Sequence, residues 1–134
     1  MNINFSIEEN IYIKSISDEL FDLHNEYDFI KHEVSYMDKK VSLVWRNTED
    51  KNILILEHIN VDYLVIDSNS LGEDANTLST VSYFSSKDRS TNDSITSNSI
   101  PDKDDDIIYY FENENFIRIS CDKIKLKLRP HVVL

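Results

Sequence analysis

The chain is poor in the residues that usually punctuate a fold, with one glycine, two prolines and one cysteine in 134 positions. With Gly72 alone, glycine-rich phosphate loops are excluded, because they need several glycines to bring backbone amides onto the phosphates. Cys121 has no second cysteine to pair with, which excludes an internal disulfide and fits a reducing compartment. It lies in the apolar run "FIRISCDK", where a small core residue is the expected role and a reactive thiol the alternative. No stretch approaches the ~20 apolar residues of a membrane helix. The opening "MNINFSIEENIYIKS" lacks the basic start and apolar run of a secretory leader, so the expected address is the cytoplasm.

Positive charge is scarce as well. Fourteen Lys and Arg stand against 25 Asp and Glu, a net charge of -11. Nucleic acid and anionic membrane both require cationic surface, so neither is an expected partner, whereas a cationic protein is. Residues 1–66 hold 13 acids and 6 bases, residues 67–116 hold 11 and 3, and residues 117–134 hold 1 and 5.

Hydrophobic residues make up 40% of the chain, with seven Tyr and six Phe. That is enough to bury one core without staples, so a single domain over 1–134 is expected. Turns must come largely from Asn, Asp and Ser, which form local side-chain bonds and tolerate left-handed geometry. "SISDELFDLHNEY" carries a capping signal at Ser17 or Asp18 ahead of Leu20, Phe21 and Leu23, which predicts a short helix over 18–26. From Phe29 to Met37 and from Val41 to Trp45 the residues alternate around Asp38-Lys39, which predicts a hairpin with a two-residue break. Ile53–Glu57 and Val61–Ile66 read as a second strand pair, with His58 in the turn between them. In "TLSTVSYFSS" Leu78 and Val81 fit a helix while Val81 to Phe84 favour a strand, and the strand is the expectation; 85–106 reads as a polar insertion too poor in apolar groups to pack alone.

In the last stretch Ile117, Ile119 and Cys121 have one parity and Ile124, Leu126 and Leu128 the other. A bulge or bend near Asp122-Lys123 is therefore required. Lys123, Lys125, Lys127 and Arg129 share one face and are expected to protect a solvent-facing edge, with anion binding as the alternative. These elements sum to an α+β fold: a mostly antiparallel sheet of consecutive hairpins with one short N-terminal helix.

Four features bear on chemistry. His24, Asp28 and His32 fall at steps of four and would share one face of an unbroken helix, as metal ligands can. The alternation after Tyr27 argues instead for a helix ending there, which leaves His24 and His32 on different elements and the spacing without meaning. His58 is expected to be a hydrogen-bonded structural histidine, and His131 a surface one. The acidic run "PDKDDD" (Asp102, Asp104, Asp105, Asp106) lacks the glycine and closing glutamate of a calcium loop. It reads either as a solvated loop end or as a patch that meets basic residues of a partner, extended by Glu112 and Glu114 if that hairpin end lies nearby.

The step His32-Glu33-Val34 opening a hairpin, followed by Leu54 to Ile66 in the pattern L-x-L-x-x-x-x-V-x-x-L-x-I, resembles small bacterial immunity proteins. These belong to polymorphic-toxin and contact-dependent growth inhibition systems. The chain departs from them in having Glu33 where Asp is commoner, and in the insertion at 85–106. The resemblance implies a non-catalytic cytoplasmic inhibitor, without cofactor, that binds a cognate and typically cationic nuclease-type toxin domain. An exposed strand edge would offer a route to a homodimer. The alternatives are an adaptor domain whose acidity serves solubility, and a small metal-dependent enzyme using His24, Asp28 and His32.

Overall fold

Twelve strands and a single 3-10 turn make up the regular structure of the computed structural model, which describes residues 1–68, 75–92 and 95–132. There is no α-helix among the described residues, so the fold is β and the α+β expectation is corrected. In chain order the strands are β1 (Asn2–Ile3), β2 (Phe5–Glu8), β3 (Tyr12–Ser15), β4 (Leu20–Asp22), β5 (Tyr27–Ser35) and β6 (Lys40–Asn47). They continue as β7 (Ile53–Ile59), β8 (Tyr63–Asp67), β9 (Leu78–Ser85), β10 (Asp105–Phe111), β11 (Phe116–Ser120) and β12 (Lys123–Arg129).

The expected helix at 18–26 is instead β4 followed by a turn. The residues expected to cap the helix lie in the turn between β3 and β4: Asp18 has φ 65° and its amide donates to Ser15 O (3.0 Å), and Ser17 Oγ meets Ser15 Oγ (2.9 Å), so neither opens a helix. Asp22 closes the turn that follows β4. Asp22 Oδ1 accepts from the amides of His24 (3.1 Å) and Asn25 (2.9 Å), and Oδ2 accepts from Asn25 Nδ2 (2.8 Å). Phe21 and Leu23 both join the core although they are two positions apart, which places them on one side of a strand but not of a helix.

The strands form a five-stranded sheet in the order β1-β12-β7-β6-β5, a four-stranded sheet β8-β11-β10-β9, and a three-stranded sheet β2-β3-β4. All pairings are antiparallel except the short β1–β12 contact. The two larger sheets face each other across one buried cluster, in which Trp45 meets Tyr109 (5.8 Å between ring centres) and Phe29 meets Phe111 (4.9 Å). The small sheet adds Phe5, Ile7, Ile13 and Phe21 to that cluster. It sits beside β9, whose Val81 amide donates to Asn10 O at 2.8 Å.

The first hairpin forms as expected, but its loop is four residues long, 36–39, and Lys39 has φ 51°. The second expected pair does not form, because β7 and β8 lie in different sheets. They make one long arm that bends at 60–62, and β11 and β12 make another that bends at 121–122. The arms are paired throughout, β8 with β11 and β7 with β12. At the corner the Asp62 amide donates to Ser120 O (3.0 Å) and the Asp122 amide to Ile59 O (3.1 Å). This corner explains the parity change at Asp122: beyond it, the opposite set of side chains faces the core.

With little glycine, left-handed turn positions fall to Glu9, Asn10, Asp18, Lys39, Lys51, Asn60 and Glu114, all with φ between 51° and 70°. Three of the seven are Asn or Asp and none is Ser. Serine instead bonds locally, as where the Asp38 amide donates to Ser35 Oγ and the Lys87 amide to Ser85 Oγ.

Candidate binding surfaces

The three residues of the metal reading do not come together. His24 lies in the turn after β4, and its Nδ1 is 2.6 Å from Leu78 O. A carbonyl only accepts, so this nitrogen carries the proton and has no lone pair for a metal. Asp28 and His32 both lie on β5, where a bulge at Ile30 shifts the register between Phe29 and Lys31. One extra residue reverses the parity. Asp28 therefore pairs with Arg46 on the outer face, while His32 pairs with Leu43, whose side chain is buried on the inner one. Among the described residues no group of three or more His, Cys, Asp or Glu is arranged to hold a metal ion.

His58 is part of β7 rather than of a turn, and it is fully buried. Its Nδ1–H donates to Val41 O at 2.9 Å, which leaves Nε2 to accept from the Tyr109 hydroxyl at 2.8 Å. Burial lowers its pKa to about 4, so it is neutral near pH 7 and ties the two sheets together. The Cys121 thiol is buried too, and desolvation pushes its pKa up to about 12, far from thiolate chemistry. His131 is exposed.

The acidic run does not form one patch. Asp102 and Asp104 are exposed, and Asp105 is half-buried, where desolvation raises its carboxyl above the usual range. Asp105 Oδ2 accepts from the Asp102 amide at 2.8 Å, so this carboxylate closes its own turn. Asp106 is fully buried. Its Oδ2 accepts from Arg118 Nε (2.7 Å) and Arg89 Nε (3.0 Å), and its Oδ1 from Arg89 Nη2 (3.0 Å). Glu112 and Glu114 lie beyond the far end of β10, ~23 Å from Asp105 at strand rise, so they do not extend the cluster. Glu112 instead approaches His24, Oε1 to Nδ1 3.5 Å.

Arg118 and Asp106 project from the outer face of the four-stranded sheet, and residues 86–92 lie across them. Arg118 Nη1 donates to Thr91 O (2.9 Å) and Asn92 Oδ1 (3.0 Å), and Nη2 to Ser85 O (3.1 Å). The Arg89 guanidinium sits 3.7 Å above the Tyr63 ring, and Asp106 beside it raises its pKa. Further along, Thr96 Oγ1 donates to Tyr83 O (2.6 Å) and the Ile7 amide to Ser99 O (2.9 Å). Ion pairs and hydrogen bonds thus tie the described part of the polar insertion to the sheet.

The outer face of the five-stranded sheet has no such cover among the described residues. Strand pairing aligns Lys123, Lys125, Lys127 and Arg129 of β12 with Lys40 and Arg46 of β6 and Lys31 of β5. Among the described residues Asp28, Glu33 and Glu57 offset them on this face, which is therefore net +4 (seven bases minus three acids). The remaining chain then holds seven of the 14 bases and 22 of the 25 acids, a net of -15. Glu57 bonds Lys127 at 2.9 Å and lies 4.0 Å from Lys40, and Lys31 pairs with Glu33. Those hydrogen bonds from Lys127 and Lys31 lower both carboxyls. Between the charged side chains runs a trough of about 350 Å³ floored by Val44, Ile53 and Ile55.

β1 pairs with β12 only at Lys123 and Ile124, so among the described residues β12 is a sheet edge from Lys125 to Arg129. Farther along, Asn4 stands in for a neighbouring strand, with Oδ1 accepting from the Leu126 amide (2.7 Å) and Nδ2 donating to Leu126 O (3.3 Å). The alternating basic run of β12 was visible in the sequence. Its union with Lys31, Lys40 and Arg46 depends on which strands become neighbours.

No helix of the described residues is long and apolar enough to cross a membrane. Comparison with known proteins finds no matching family model, no similar curated protein and no similar solved structure.

Proposed function

We propose that this chain is a cytoplasmic, non-catalytic immunity-type protein that binds and neutralises a cationic, nuclease-type toxin domain through its acidic surface. The observation that supports this reading is charge segregation. Half of the bases are gathered on one sheet face, which leaves the rest of the chain at -15. A surface of that sign attracts a protein built to hold phosphate backbones, and it speeds encounter at low salt. Asp102 and Asp104, with Asp105 partly exposed, are the contacts assigned to the loop before β10, while Asp106 is reserved for the fold.

The test is binding to the toxin domain encoded beside this gene, measured by titration calorimetry as salt is raised. Affinity should fall with salt. It should fall further, by ~10-fold or more, when Asp102, Asp104 and Asp105 are all changed to Asn. Affinity indifferent to both would remove the acidic-surface mechanism. Failure to protect cells that express the toxin would remove the immunity reading itself.

A further inference from the structure

We propose that the trough on the outer face of the five-stranded sheet is a docking site for a short, extended, acidic polypeptide segment that also carries apolar side chains. This surface is opposite in charge to the one assigned to the toxin, and the inference does not depend on that assignment.

Three observations single out this occupant. The face is net positive on a strongly negative chain, so it draws acidic groups to one place only. Arg129 on β12 and Glu33 on β5 both line the trough, so its walls come from strands at opposite sides of the sheet. Val44 and Ile55, each 8% exposed, lie at the bottom under the stems of the flanking lysines. An extended peptide matches both features. Its side chains repeat at ~6.7 Å on each face, the spacing of Lys125, Lys127 and Arg129 along their strand, and the alternate positions can turn toward the floor.

Other anionic partners fit less well. A nucleic acid has no apolar side chains for the floor, and beyond this face it meets the -15 of the remaining chain. An anionic bilayer requires apolar groups that protrude, whereas these are recessed.

The probe is a short synthetic peptide alternating Asp with Leu, titrated into the full chain and followed by amide chemical shifts and fluorescence anisotropy. Shifts should centre on Val44, Ile55 and Lys127. The double variant Lys127→Glu, Arg129→Glu should weaken binding by ~10-fold or more, while Lys87→Glu, Lys103→Glu, with the same change in net charge and in the segment that flanks the other sheet, should leave it nearly unchanged. Circular dichroism of each variant checks that the fold persists. Absence of peptide binding, or equal loss in the two doubles, overturns the proposal. So does tighter binding of a single-stranded DNA or of phosphatidylserine vesicles that the Lys127/Arg129 double abolishes. Concentration-dependent self-association removed by that same double would make a second copy of this chain the occupant, and would overturn it too.

Discussion

Arg118 and Lys127 both project from the outer face of a sheet, one side chain wholly buried and the other 45% exposed. The difference lies in what covers them. Over the four-stranded sheet, the segment at 86–92 supplies Arg89, Thr91 and Asn92, which complete the hydrogen bonds of Asp106 and Arg118. Over the five-stranded sheet no described segment lies across the lysines, and their charges stay in water. A buried charge must be met by a fixed partner, whereas a solvated one is free to meet something else. The same residue types therefore hold the molecule together on one face and remain available for recognition on the other.

The contrast is broken most strongly at Asp106. Asp106→Ala leaves Arg118 charged and buried beside no carboxylate, and urea unfolding should show a loss of about 3–5 kcal/mol. Lys127→Ala removes only a half-exposed pair with Glu57 and should cost no more than ~1 kcal/mol. Equal losses at the two sites would end the distinction between the faces.

The next effect comes from the surface the two sheets share. Between pH 6.5 and about 4 the unfolded His58 imidazole binds a proton and the folded one does not. Stability therefore falls as pH drops through that window, by ~3 kcal/mol in all, and is regained as pH rises. In His58→Gln this component is absent, so the advantage of the parent chain over the variant should shrink by that amount at pH 4. An advantage that stays constant with pH would mean that His58 titrates normally. Glu57, the preceding residue, faces outward with its carboxyl lowered by Lys127. Its contribution is present above 4.5 and is lost at more acid pH, below most of the His58 window.

The smallest effect tests whether the contrast reaches the turns. Lys39, in a hairpin of the five-stranded sheet, and Glu114, in one of the four-stranded sheet, both sit at left-handed φ of 51° and 70°. Changing either to Gly should raise stability by about 0.5–1 kcal/mol, measured by thermal unfolding, because the strain is local to each turn. A gain at one and a loss at the other would show that turn strain depends on the sheet.

How much of this could be read beforehand varies with the range of the interaction. The strands read at Phe29 to Met37 and Val41 to Trp45 were legible because alternation is a local signal. The strand at Leu78 to Ser85 rested instead on the β preference of Val81 to Phe84 against a competing helical spacing. The break in phase at Asp122 was legible too, although its cause, a corner shared with Asn60 to Asp62, was not. The helix expected at 18–26 failed because Asp18 takes a left-handed turn position instead of an N-cap, and Phe21 and Leu23, two positions apart, both enter the core as strand residues do. The acidic run misled in a similar way, because four neighbouring aspartates look alike until Arg89 and Arg118 claim one of them.

By itself the sequence determined the large excess of carboxylates, the lack of a disulfide and most of the alternating strands, since each follows from composition or from neighbours a few positions apart. Only the tertiary structure decided which charges are buried and which gather. Asp106 meets Arg118 from twelve positions away, and Lys31 joins the lysines of β12 from some ninety away. Strand pairing across such distances places each charge beside its neighbours, and no short window of sequence contains both members of those pairs.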